Sequence, residues 1–183
     1  MTGLQSPHFL RNIEARRNCY DSLPLIFSNV QDRIFNCKRS GPTQLSQWQS
    51  KPVTDISPKF TDQCFDALLE GLTDYTTDER GDVGSWIRLS CVLALSKFAQ
   101  ILFAHSKSLP NFVEYLSPEK YQAVVGGILK QGVERLDNVR QQTGIQFLKL
   151  LRSDLPEVNG KERWRIFGTE MMNELFPRCA DSL

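Results

Sequence analysis

The chain has little of what metal, redox and nucleotide chemistry usually needs. Only two histidines are present, His8 and His105, and neither stands near cysteine or carboxylate residues at metal-ligand spacing, which argues against a zinc centre and a Cys/His nucleophile pair. The five cysteines, Cys19, Cys37, Cys64, Cys91 and Cys179, are odd in number and scattered, with no C-x-x-C pair; this is the pattern of reduced thiols in a cytosolic protein. There is no G-x-x-x-x-G-K-[ST] and no G-x-G-x-x-G after a strand, so a phosphate cradle has no support. Neither sign of charge is in excess, since 22 Lys plus Arg face 21 Asp plus Glu, and this leaves no general electrostatic reason to bind nucleic acid or an anionic membrane. "MTGLQSPHFLRNIEARR" has no apolar signal core, and no stretch approaches the roughly 20 apolar residues of a membrane span. The expectation is a soluble, non-exported, cytoplasmic protein that is not an enzyme and takes no cofactor.

Strand signals are missing as well: Val, Ile and Thr do not alternate with polar residues over a strand's length. Helical spacing fills the place. Cys64, Phe65, Leu68, Leu69, Leu72 and Tyr75 form one stripe, and Tyr121, Val124, Val125, Ile128, Leu129, Val133 and Leu136 a second. Trp164, Phe167, Met171, Leu175 and Phe176 form a third, on a final helix over 161 to 176. The fold class read from this is all-α, and 183 residues are enough for one domain with a substantial core.

Three helices share an internal register. "IRLSCVLALSKF" places Ile87 and Arg88, then Cys91, then Ala94 and Leu95, then Phe98. "VRQQTGIQFLKL" places Val139 and Arg140, Thr143, Gln146 and Phe147, and Leu150; "ARRNCYDSLPLI" places Ala15 and Arg16, Cys19, Ser22 and Leu23, and Ile26. A small residue midway lets a neighbouring helix approach, while larger residues on the same side fill the groove. Cys19 and Cys91 therefore read as core. The arginines at 16, 88 and 140 also invite a reading as a ladder for an anionic ligand. The structural account is that each bonds an acidic residue of its own turn or carbonyl groups of a neighbouring unit, worth about 0–1 kcal/mol where exposed.

The spacing between these units is stretched. Residues 36 to 59 carry Gly41, Pro42, Pro52 and Pro58 with few apolar groups and read as a mobile insert. Its Trp48 is either a docking anchor for a partner or a side chain that folds back on the body. A helix stop is expected near Lys107, then a linker, then a helix from Pro118. Pro24 should kink or split the first helix, because its ring clashes with the carbonyl four residues back.

"DYTTDERGDVGSWIR", residues 74 to 88, holds the main candidate site. The preceding helix should end near Tyr75 and the next begin near Asp82 or Ser85. Gly81 and Gly84 permit backbone angles other residues resist, Asp82 or Ser85 caps the helix, and Trp86 enters the core. Asp78, Glu79 and Arg80 have no packing task on this reading, so the tip is a candidate partner contact; a solvated turn is the alternative.

The register resembles that of HEAT repeats, antiparallel helix pairs stacked into an α-solenoid, whose second helix follows an acidic residue and carries an apolar-Arg pair. Asp82 stands six residues before Arg88 and Glu134 six before Arg140, whereas Leu10 holds that place before Arg16. Within that class, "LLEGLTDYTTDERGDVGSWIR", "RRNCYDSLP" and "YLSPEKYQAVVGGILKQGVERLDNVRQQTG" resemble the C-terminal part of the tubulin-folding cofactor D family. The resemblance implies one solenoid fragment, residues 1 to 183, of a chaperone several times longer. It also implies a protein-binding scaffold in tubulin heterodimer assembly and disassembly. The implied partners are β-tubulin, the tubulin-folding cofactors C and E and an ADP-ribosylation-factor-like small GTPase. With cofactors C and E such a protein promotes GTP hydrolysis on tubulin and meets microtubules. Two rivals stand beside it. One is a HEAT-like scaffold for another protein client. The other is a HEAT-like alkylpurine DNA glycosylase, with Asp82, Trp86 and Arg88 in its site, although a DNA-binding face normally carries excess Lys and Arg.

Overall fold

The computed structural model of the protein describes residues 12–39 and 57–175. Their long helices are α1 (Ile13–Arg39), α2 (Pro58–Gly71), α3 (Gly84–Ala104), α5 (Pro118–Gln131) and α6 (Asp137–Arg152). Shorter pieces are the strands β1 (Thr77–Asp78) and β2 (Gly81–Asp82), and the helices α4 (Phe112–Tyr115) and α7 (Thr169–Leu175). Single 3₁₀ turns cover Ser106–Ser108 and Lys161–Trp164. Trp48, His8 and Leu10 lie outside the described residues. So do residues 40 to 56, which make up most of the expected insert; its first residues, 36 to 39, instead continue α1 as helix.

The helix starts follow local chemistry. α2 and α5 both begin Ser-Pro: Ser57 Oγ accepts from Phe60 N at 3.2 Å and Ser117 Oγ from Lys120 N at 3.1 Å. Each proline sits in the first turn, where the missing N–H costs nothing. α3 is flanked by α1 on one side and α6 on the other, and α2 and α5 also pack against it. Most of its residues are buried, with Ile87, Leu95, Phe98, Ala99 and Leu102 in the core, and one stripe of Trp86, Leu89, Leu93, Lys97, Gln100 and Ala104 reaches the surface. By length and composition alone α3 is apolar enough to cross a membrane, which corrects the expectation above; most of that apolar stretch is buried inside the protein, where it forms the core.

α2 and α5 are tied closely. A Cβ on Gly127 would stand 2.9 Å from Leu72 Cδ1 and 3.2 Å from Leu69 Cδ2, so the glycine is what lets α5 approach. Gln131 Nε2 donates to Leu72 O at 3.0 Å, and Lys120 joins Asp62 at 2.8 Å and also Asp66. Phe65 and Phe98 meet edge to face, ring centres 4.8 Å apart.

The shared register holds to different degrees. All six of its positions are buried on α3, and five of the six on α6 are buried or half-buried, with Arg140 the exposed one. On α1 the pattern slips: Cys19 and Ile26 are exposed, while Ile13, Tyr20 and Pro24 are buried. Tyr20 takes the place expected of Cys19, because the large ring fills the corner between Gly71 and Cys91. Pro24 neither splits nor ends α1; its burial against the body offsets a cost of about 3 kcal/mol.

The two longer stripes end early, with Tyr75, Leu129, Val133 and Leu136 exposed. The expected helix over 161 to 176 is not continuous. It is a 3₁₀ turn, a bend at Gly168 with φ +79°, and then α7. Trp164 is buried and donates Nε1–H to Leu116 O at 3.0 Å, whereas Phe167 is 100% exposed, so the two do not share a face.

Gly126 and Gly144 sit inside α5 and α6, exposed, with open space where a Cβ would stand. Replacing either with alanine should raise stability by about 0.5–1 kcal/mol through helix propensity; urea unfolding midpoints at unchanged slope would check this.

Candidate functional site

The chain leaves α2 through Leu72 N, Thr73 N and Asp74 N, which bond back to Leu69 O, Glu70 O and Gly71 O. The helix thus ends before Tyr75. A minimal antiparallel ladder follows, Thr77 opposite Asp82 and Asp78 opposite Gly81, with Gly81 at φ +101°. Asp82 then serves the start of α3: its Oδ1 accepts from Ser85 N at 3.0 Å, and Ser85 Oγ donates back to Asp82 O at 2.6 Å. Gly84 matters here for space rather than for an unusual φ. A Cβ on it would lie 2.5 Å from Asp74 O and 2.7 Å from Thr76 N, and its own N–H donates to Thr76 O at 2.8 Å.

Two of the three tip charges have structural work, contrary to expectation. Arg80 Nη2 lies 2.6 Å from Asp78 Oδ2, Arg80 N donates to Asp78 Oδ1 at 2.8 Å, and Arg80 Nη1 lies 3.7 Å from Glu14 Oε1 on α1. The Arg80 guanidinium also stands 5.0 Å from the Trp86 ring centre, a contact worth about 0.5–1 kcal/mol at an exposed site. Trp86 is accordingly half-buried beneath Arg80 instead of sitting deep in the core. Glu79 alone among the three has no hydrogen-bond or ion-pair partner among the described residues, and it is exposed.

Arg16 and Arg88 bond to the loop, and Arg140 bonds to the 134–137 turn that supplies Glu134 to Arg88. Arg88 is 0% exposed. Its Nη1 donates to Asp74 O at 2.6 Å and its Nη2 to Asp82 Oδ2 at 2.8 Å, while Glu134 Oε2 stands 3.9 Å away. The Tyr75 ring lies against its guanidinium at 4.3 Å, and the Tyr75 hydroxyl donates to Glu134 Oε1 at 2.6 Å. Arg16 pairs with the carboxylate of the same Asp74. Arg140 Nη1 donates to Glu134 O at 2.7 Å and Arg135 O at 2.9 Å, and its Nη2 pairs with Asp137. Burial opposes charge on Asp74, but hydrogen bonds from Thr76 and the Arg16 guanidinium outweigh it and hold the carboxyl below its ordinary value.

This geometry forms a braced loop. Arg88 has no exposed surface with which to meet an anionic ligand or a DNA phosphate, and Asp82 is occupied by Arg88 and the α3 cap, so the arginine-ladder and glycosylase castings lose their principal residues. Asp74 and Tyr75, which carry most of the bracing, were not singled out by the sequence. Asp74 is one of four acidic residues within nine positions, 74 to 82, and no local pattern marks it.

Residues 122–183 match the family model described as tubulin folding cofactor D C terminal. The match supports the resemblance read from the sequence. It takes in most of α5, the 132–136 turn with Glu134, and α6 with Arg140, and it begins after the 74–88 loop. The segment with the cofactor D pattern thus contributes Glu134 to Arg88 and Tyr75 of that loop. No solved structure matches the chain.

Gly84→Ala should destabilise the protein by at least about 1–3 kcal/mol, because the methyl group meets backbone and not a movable side chain; thermal or urea unfolding would read this. Asp74 has a lowered folded-state pKa, so its contribution is fully present above the ordinary aspartate value near about 4 and is lost as pH falls through the folded value. Asp74→Asn should therefore lower stability at neutral pH, and the gap to the parent protein should shrink as pH falls below about 4.

Proposed function

We propose that the chain is a non-catalytic protein-binding scaffold with the tubulin-related role of a folding cofactor D, acting in the cytoplasm. The observation that carries this reading is the family match at 122–183, whose segment is bonded directly to the braced 74–83 loop through Glu134. The helices would form one continuous stack of HEAT-like pairs over residues 1 to 183. In it α2 and α5 open successive pairs with the same Ser-Pro start, and α3 and α6 close them with their register arginines at one edge. Along that edge the inter-helix loops would supply contacts to β-tubulin, to cofactors C and E, or to the ADP-ribosylation-factor-like GTPase.

Glu79 is the cleanest probe of the loop, because reversing Arg80 would also disturb Asp78, Glu14 and Trp86. Purified protein carrying Glu79→Lys should keep the parent's melting temperature within a degree or two and lose about tenfold or more in retention of β-tubulin or the small GTPase. Unchanged retention of every partner the parent protein binds would remove the tip from the binding surface.

A further inference from the structure

The way α1 is attached differs from the way the other long helices are. Among its residues 13 to 26 only Ile13, Tyr20 and Pro24 are buried, while Leu25 and Ile26 point outward. Beneath it lie Gly71 and Cys91: a Cβ on Gly71 would meet Cys91 Sγ and stand 3.4 Å from Tyr20 Cζ. The apolar seam is narrow. In this segment polar links to the loop add to it, from Arg16 to Asp74 and from Glu14 to Arg80.

Asp74 is at the same time a ligand of Arg88, through its carbonyl oxygen. Arg88 in turn depends on Glu134, which also accepts from Tyr75 and gives its backbone carbonyl to Arg140. A buried guanidinium that loses one carboxylate must shift toward those that remain, and here the shift falls on the segment that holds Arg16. Segments with few buried side chains, as residues 13 to 26 are, open most readily under native conditions.

We propose that the segment of α1 over residues 13 to 26 is a latch over Gly71 of α2 and Cys91 of α3, held closed by a relay of bonds that runs from Glu134 through Arg88 and Asp74 to Arg16. A partner that engages the 132–137 turn and draws Glu134 from Arg88 opens the latch at a distance and exposes Cys91 beneath it. The relay is the two-state element that both ends bias, and it does not depend on which protein binds.

Cys91 reports opening, because its thiol has 0% exposure while α1 is closed. Cys64, buried on α2 with its thiol pushed up to about 11 by burial, reports global unfolding. Native protein would be alkylated with iodoacetamide and followed by peptide-resolved mass spectrometry, in the parent chain and in Glu134→Gln, Tyr75→Phe and Arg16→Gln. Tyr75→Phe keeps the ring on Arg88 and removes only the hydroxyl, so it serves if the charge variants fold poorly. Arg16→Gln cuts the last link and should open the latch outright. The expected result is Cys91 labelling accelerated about tenfold in Glu134→Gln and by a smaller factor in Tyr75→Phe, with Cys64 unchanged. Equal acceleration at Cys91 and Cys64, or no acceleration at Cys91 in the two variants remote from α1, would overturn the relay.

Discussion

A guanidinium shut away from water has to be met by acceptors, since an uncompensated buried charge costs several kcal/mol. Arg88 is such a group, and the shape of the loop above it follows from that requirement. The Asp74 carbonyl fixes how the chain leaves α2, Asp82 fixes where β2 ends and α3 begins, and Tyr75 lies flat against the guanidinium. Glu134 brings in the turn between α5 and α6. Gly84 belongs to the same constraint, because only a residue without a side chain lets the first turn of α3 come within reach of Asp74 and Thr76. The ladder of β1 and β2 is too short to be stable on its own, and the buried arginine supplies the anchorage it lacks.

That anchorage bears on recognition. A loop fixed from below loses less conformational freedom on binding than a free one, so more of its contact energy survives as affinity. Arg80 extends the bracing upward by covering Trp86, and Glu79 is left projecting from a tip whose neighbours are already satisfied. The base of the loop and the 132–137 turn draw on a common arginine, so partners meeting either would act on a single body of side chains.

Much of the helical plan was legible in the sequence, and the misses have physical causes. α3 displays its register in full because α1, α2, α5 and α6 all pack against it, so each position of the pattern is also a buried position. α6 has α3 on one flank and shows the pattern with its arginine turned outward. On α1 the spacing of Arg16 and Leu23 was right, yet Tyr20 and not Cys19 is buried, since a glycine on a different helix made room for a ring; no local pattern carries that information. Pro24 obeyed packing over propensity. The final stripe failed at Gly168, whose positive φ breaks the helical period between Trp164 and Met171. In the loop the cap by Asp82 was readable from residue type and spacing, but Asp74 was not, because its role is set by Arg16 and Arg88, 58 residues before it and 14 after it.

The three arginines of the register show how one sequence pattern takes on unequal energetic weight. Arg140 lies on the surface, bonded to two carbonyls and a nearby aspartate, where such contacts are screened and add little. Arg16 is largely covered and paired with an equally covered Asp74, so its bond is less screened. Arg88 has no contact with water at all, and removing any one of its partners leaves a buried charge behind. Arg88 stands apart because it lies on the helix that four others pack against, whereas α1 and α6 have fewer neighbours. Position among the packed helices, which the local sequence does not record, decides which copy of a repeated residue the fold depends on.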